Sequence, residues 1–142
     1  MGSMAKYMKE GDTLPTFHRT VTQERIAKYA AASGDFNPIH VDTSFGAKSQ
    51  FGSTIAHGMM IAAEISESLT RAFEVHWFEG GRLKLRFRAP VFPGDTVSAF
   101  GEVKKVLEHN GGREIVCSVG VCRRNGEVVI TGEAVVKLPF AE

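Results

Sequence analysis

The chain changes its hydrophobic period once. Residues 20 to 75 repeat apolar positions at helical spacing, whereas residues 82 to 138 alternate between turn signals in the manner of strands. Thr22 followed by Gln23 and Glu24 predicts an N-cap with an acidic first turn. Ile26, Tyr29, Ala30 and Ser33 then share one face, and Gly34 ends the helix. Between Ile55 and Phe73 there is no proline. Ile55, Met59, Ala62, Ala63, Ser66, Leu69 and Phe73 fall on one stripe there, widened by Met60, Ile65 and Ala72. A helix with so broad an apolar surface must be enclosed by other elements.

The second half supplies the enclosure. Leu83, Leu85 and Phe87 alternate with Lys84, Arg86 and Arg88, the pattern of a half-buried strand, and the run from Pro90 to Gly94-Asp95 turns the chain. Three longer strands are predicted over 96–108, 113–123 and 127–138. They are joined at Asn110-Gly111 and Asn125-Gly126, a dipeptide suited to the positive φ angles of tight hairpins. An edge strand followed by a three-stranded antiparallel meander, around one long apolar helix, makes an α+β domain with the sheet wrapped around the helix. No internal repeat, linker or low-complexity segment interrupts it.

Composition narrows the class further. At 142 residues one domain is expected, over residues 4–142, with Met1-Gly2-Ser3 read as an expression remnant ahead of Met4. Lys and Arg number 17 against 16 Asp and Glu, a net charge of +1, which argues against a general nucleic-acid binder. No apolar run approaches the ~20 residues of a membrane-spanning helix. Cys117 and Cys122 lie an odd number of residues apart on a predicted strand, hence on opposite faces, and are read as unpaired thiols of a cytoplasmic protein. His18, His76 and His109 show no metal-ligand spacing, so no metal is expected.

The loop between the two helices holds the candidate chemistry. Gly34 and Pro38 force irregular backbone there, and Asp35 and His40 stand in it five residues apart. A carboxylate and an imidazole converging on one water can transfer a proton; taken alone, the same residues are equally those of a loop held by local hydrogen bonds. His57-Gly58-Met59 opens the long helix, where the first amides have no intrahelical partner. The Gly58 amide is therefore a candidate oxyanion donor, and close helix-to-sheet packing is the other reason for a glycine at that point.

The run Tyr29-Ala30-Ala31-Ala32-Ser33-Gly34-Asp35-Phe36-Asn37-Pro38-Ile39-His40, with Ile55-Ala56-His57-Gly58-Met59 after it, resembles the signature of the MaoC-like (R)-specific enoyl-CoA hydratases, which have the hot-dog fold. Arg86-Phe87-Arg88-Ala89-Pro90-Val91 with Gly94-Asp95 is similar to the strand and turn after that family's central helix. The resemblance implies that Asp35 and His40 activate water, that Asn37 helps hold the site, that the Gly58 amide binds the thioester oxygen, and that His57 positions its neighbours. It also implies reversible syn hydration of trans-2-enoyl thioesters to (R)-3-hydroxyacyl products, without a cofactor. Gly46 departs from the alanine or serine usual there, in a segment that shapes the acyl pocket of relatives. Chain-length preference is the property this leaves open.

The implied substrate is acyl-CoA, or acyl carried on acyl carrier protein if the chain is a dehydratase subunit. A thioesterase and a non-catalytic hot-dog subunit are the remaining alternatives. Phe45, Phe51, Trp77, Met59 and Met60 are candidates for the acyl tunnel. Arg82, Lys84, Arg86 and Arg88 form a basic stripe that reads either as a solvated strand face or as a site for coenzyme A phosphates, with Arg86 and Arg88 the binding candidates. Open sheet edges point to a dimer, with itself or with a related hot-dog subunit.

Overall fold

A computed structural model describes residues 8–109 and 111–139. Met1–Ser3, expected to be an expression remnant, and Asn110 of the expected first hairpin turn lie outside the described residues. Thr22 caps the first long helix, α1 (Gln23–Ser33), by accepting from the Arg25 amide at 3.1 Å, and Gly34 ends it in the left-handed region at φ 81. Before it comes a three-residue strand, β1 (His18–Thr20), that no periodicity announced. The loop expected after Gly34 is partly helical. Asn37 caps α2 (Pro38–Val41) and Asp42 caps α3 (Thr43–Lys48).

The central helix, α4 (Gly58–Phe73), begins three residues later than the pattern predicted, because His57 is still extended at φ -63, ψ 135. Its buried face also differs. Ile61, Ala62, Ile65, Leu69, Ala72 and Phe73 enter the core, whereas Met59 is 63% exposed and Ala63 faces out. Part of the difference comes from Glu64, buried in the stripe because Arg19 of β1 reaches it at 3.2 Å. After Glu74, at φ 53, a short helix α5 (Val75–Gly80) leads into the sheet.

Four further strands follow: β2 (Arg82–Phe87), β3 (Thr96–His109), β4 (Gly112–Arg123) and β5 (Val128–Pro139). Among the described residues they form with β1 one five-stranded antiparallel sheet in the order β1-β3-β4-β5-β2. The expected meander is therefore β3-β4-β5, and β2 pairs at its far edge with β5 rather than with its chain neighbour β3. Register shifts at Val103/Lys105 and at Val121/Cys122 add local bend and twist, which helps the sheet curl around α4. Its concave face supplies Val97, Val103, Ile115, Val119, Ala134 and Val136 to the same core as α4.

Cys117 faces that core and Cys122 is half-buried on the other side, both unpaired. Burial pushes the Cys117 thiol up to about 12. Phe87 is the exception to the burial expected along β2. Leu83 and Leu85 are half-buried as expected, but Phe87 is 51% exposed. No helix is long and apolar enough to cross a membrane among the described residues.

The Arg19 contacts yield a stability test. Burial holds the Glu64 carboxyl above the ordinary range against the pull of Arg19, and one of its oxygens has no partner. Glu67, which burial alone would raise, is held below that range by hydrogen bonds from Arg19 and Arg71. A carboxyl raised in the folded state carries no penalty below its unfolded pKa and an increasing one as pH climbs through the folded value. Removing Arg19 lifts Glu64 further. Arg19→Ala should therefore cost about 1–3 kcal/mol in urea unfolding at pH 8, and clearly less at pH 5. Equal losses at both pH values would separate the cost from the Glu64 charge.

Candidate active site

The loop carrying Asp35 and His40 is shaped by short-range hydrogen bonds of its own side chains. Ser33 Oγ accepts from the Asp35 amide at 3.2 Å, Asp35 Oδ1 from the Asn37 amide at 3.2 Å, and Asn37 Oδ1 from the Ile39 amide at 3.1 Å. Asn37 thus holds the turn. One oxygen of Asp35 belongs to the scaffold, which leaves Oδ2 to face His40 Nε2 at 3.9 Å.

Longer-range bonds fasten this loop to the segment before α4. Ile55 donates its amide to Ile39 O at 3.1 Å, and His40 Nδ1 lies 2.8 Å from Ile55 O. Gln23 of α1 donates to His40 O at 2.7 Å and accepts from Thr54 Oγ1 at 2.6 Å. Because a carbonyl only accepts, Nδ1 of His40 carries the proton, and in the neutral ring Nε2 presents a lone pair toward Asp35.

His57 is the third member. Its ring is 2% exposed, stacks on His40 with centroids 3.8 Å apart and an interplanar angle of 22°, and tilts against Tyr29 at 4.8 Å. Nε2 donates to Asp35 O at 2.9 Å, while Nδ1 is buried with no hydrogen-bond partner. Asp35, His40 and His57 each place a ligand-type atom within 4.8 Å of the others, a cluster that spacing in the sequence did not reveal. Stacked imidazoles direct their in-plane lone pairs nearly side by side rather than onto one ion, and two of the four ring nitrogens are committed to carbonyls.

His57 also ends the extended segment where α4 begins. The first helical amide bond is Ile61 to His57 O at 3.3 Å, so the amides of Gly58, Met59 and Met60 precede the ladder. Gly58 serves close packing as well, since a Cβ there would lie 2.9 Å from Phe87 Cε1.

Two cavities meet at this helix start. A polar one of about 370 Å³ is lined by Tyr29, Ser33, Asp35, His40, His57 and Met59 together with Gly58 and Phe87. An apolar one of about 320 Å³ lies between Phe51, Ile55, Ala56, Ile61 and the sheet residues Val129 and Ile130, and again touches Gly58 and Phe87. Asp35, His40, His57, Gly58 and Met59 therefore come together, with Phe51 on the neighbouring cavity. Phe45 is 50% exposed on α3 and lines neither, and Met60 packs on the core. Trp77 of α5 packs on the core and against Gly81, and lines neither cavity.

The basic stripe divides. Arg82, Lys84 and Arg86 project from the outward face of β2, Lys84 opposite Glu133, and Lys84 and Arg86 border a separate groove of about 330 Å³. Arg88 lies beyond the strand and borders the apolar cavity, and its Nε donates at 2.7 Å to Oγ1 of Thr131, which lines the separate groove. Phe87 and Tyr29 are among the cavity residues to which sequence reasoning gave no site role. For Phe87 the available clue was a large apolar side chain directly between two arginines at a strand end.

A curled antiparallel sheet around one helix, with a carboxylate and an imidazole facing each other at that helix's N-terminus, defines a hot-dog domain. Residues 8–124 match the family model described as MaoC like domain. The (R)-specific enoyl-CoA hydratase of Aeromonas caviae is 37% identical over 114 residues, 80% of this chain and 84% of that one. The 3-hydroxybutyryl-CoA dehydratase of Methylorubrum extorquens is 34% identical over 124 residues, 87% of this chain and 77% of that one. Among solved structures, the (R)-hydratase from A. caviae involved in PHA biosynthesis superposes with a TM-score of 0.80 at 32% identity, covering 94% of this chain and 98% of that one. The chain belongs to the MaoC-like domain family.

Gly46 offers a test of how α3 borders the site. A Cβ there would come within 2.4 Å of the Thr54 backbone nitrogen, whereas at Gly58 it would meet only the ring of an exposed phenylalanine. Gly46→Ala should lower stability by about 1–3 kcal/mol in thermal melts, and Gly58→Ala by less.

Proposed function

We propose that the chain is an (R)-specific enoyl-CoA hydratase, a hydro-lyase that adds water reversibly across a trans-2-enoyl thioester. One observation carries the reading: Asp35 Oδ2 and His40 Nε2 face each other at 3.9 Å beside the unbonded amides that start α4. A water about 2.8 Å from each atom would subtend roughly a right angle, near its own H–O–H angle, and would donate to both.

The chemistry then balances within the site. As the water oxygen adds to C3, the π pair moves through C2 onto the thioester oxygen, and the proton leaving the water goes to His40 Nε2. Asp35 stabilises the imidazolium. The Gly58 amide meets the enolate oxygen, a contact worth roughly 2.7–4 kcal/mol by comparison with other oxyanion donors. The proton held on His40 passes to C2 from the same face, and the product is the (R)-3-hydroxyacyl thioester with no net proton gained or lost. Dehydration is the same path reversed.

The apolar cavity beside Gly58 suits the acyl chain, and Arg88 at that cavity with Arg86 on the strand edge suit the phosphates of coenzyme A. In this reading the chain acts as a homodimer in the cytoplasm. Unpaired Cys117 and Cys122 fit a reducing compartment, and Phe36 and Met59, both exposed, fit burial against a second copy.

Incubation with crotonyl-CoA, followed by loss of the enoyl absorbance and by product chirality, tests the reading. Release of free thiol would mean a thioesterase instead, and no reaction would mean a non-catalytic subunit. Asp35→Asn and His40→Ala should each lower turnover by about 10²- to 10⁴-fold while the protein stays folded. Normal hydration by both folded variants would remove these residues from the chemistry. Charge reversal at Arg86 and Arg88 should raise KM for coenzyme A thioesters, and an unchanged KM would leave the stripe a solvated strand face.

A further inference from the structure

Phe87 stands where the two cavities meet. Gly58 and Phe87 are the residues common to the lining of the Asp35–His40 chamber and of the apolar cavity. The contact is close: a Cβ on Gly58 would lie 2.9 Å from Cε1, 3.1 Å from Cδ1 and 3.5 Å from Cζ of the Phe87 ring. The backbone of Phe87 is fixed by its pairing with Ile130, itself on the wall of the apolar cavity, whereas the side chain is 51% exposed. A ring on an anchored strand end, with open space on one side and a helix N-terminus on the other, is a partition that can be widened or closed without disturbing the core.

We propose that Phe87 is a specificity-determining residue, whose ring sets the length of acyl chain admitted to the apolar cavity while the reacting carbons stay at Asp35 and His40. The inference rests on the hydratase reading. A thioester oxygen on the Gly58 amide brings C2 and C3 next to Gly58, so the chain beyond C4 has to pass the same ring that packs on that glycine. Short enoyl groups end before it. Longer ones reach the cavity of about 320 Å³ only along the face of the ring, and there each methylene that enters or is refused changes the selectivity. Phe51, on the wall of the apolar cavity alone, and Met59, on that of the polar chamber alone, border one space each and do not control passage between them.

The experiment compares wild type, Phe87→Leu and Phe87→Trp with trans-2 thioesters of coenzyme A carrying four, six and eight acyl carbons. It also measures binding of saturated butyryl-CoA and octanoyl-CoA by calorimetry. Because the ring is half exposed both variants should fold, which thermal melts check. Phe87→Leu should raise the ratio of octenoyl to crotonyl kcat/KM by roughly tenfold and Phe87→Trp should lower it by a similar factor, in each case through KM for the longer chain. The octanoyl-to-butyryl affinity ratio should move in the same directions. Equal ratios in all three folded proteins, in turnover and in binding, would overturn the role of Phe87. A wild type that binds octanoyl-CoA yet hydrates no enoyl thioester would sink the hydratase reading, and the affinity ratios would still decide the gating role.

Discussion

The hydrogen bond from His57 to the Asp35 carbonyl is the constraint on which the site depends. It joins the loop after α1 to the first residue before α4, at 2.9 Å, through a ring almost wholly removed from solvent. Were it absent, Asp35 would be related to the α4 amides only through the more distant bonds at Ile39 and His40. The stack of His57 on His40 extends the same constraint to the imidazole. His40 is in turn anchored to Ile55, two residues from His57, so the loop grips one short extended segment at both ends. Reactive groups held this way have little freedom left to lose on binding, which is what electrostatic stabilisation of a transition state requires.

The same bonds determine which nitrogen does chemistry. The carbonyls of Ile55 and Asp35 accept, so His40 keeps its proton on Nδ1 and His57 on Nε2. The lone pair of His40 is thereby turned toward Asp35, while that of His57 is shut inside the protein. Two histidines packed face to face thus take different parts. His40 reaches the open chamber, and His57 sets its plane.

What could be read from the chain followed how local the cause was. Thr22 and Gly34 bounded α1 correctly because a cap and a left-handed glycine act within a few residues, and Asn125-Gly126 marked a hairpin for the same reason, with Gly126 at φ 92. Asp35, His40 and Gly58 were singled out because their types suit proton transfer and oxyanion binding in a loop and at a helix start, and they line one cavity. The buried face of α4 was only partly legible. Glu64 belongs to it because of Arg19, which lies 45 residues away on a strand too short to show a period. The extended conformation of His57, which delays α4, answers to its partners on the earlier loop. Phe87 follows the alternation of β2 in direction but lies where the ladder to β5 ends at Ile130, so the pattern placed it without showing what it would cover.

A charge total also conceals arrangement. The net charge of +1 excluded a pervasive basic field, yet the two-residue period of β2 puts Arg82, Lys84 and Arg86 together on its outward face at the edge of the sheet. Glu133 opposite Lys84 offsets part of that field. Arg88, one step past the strand, borders the cavity beside Gly58, while its Nε donates to Thr131 on the groove that Lys84 and Arg86 also border. The edge strand therefore carries two kinds of positive charge: one spread along solvent, and one placed within reach of the cavity.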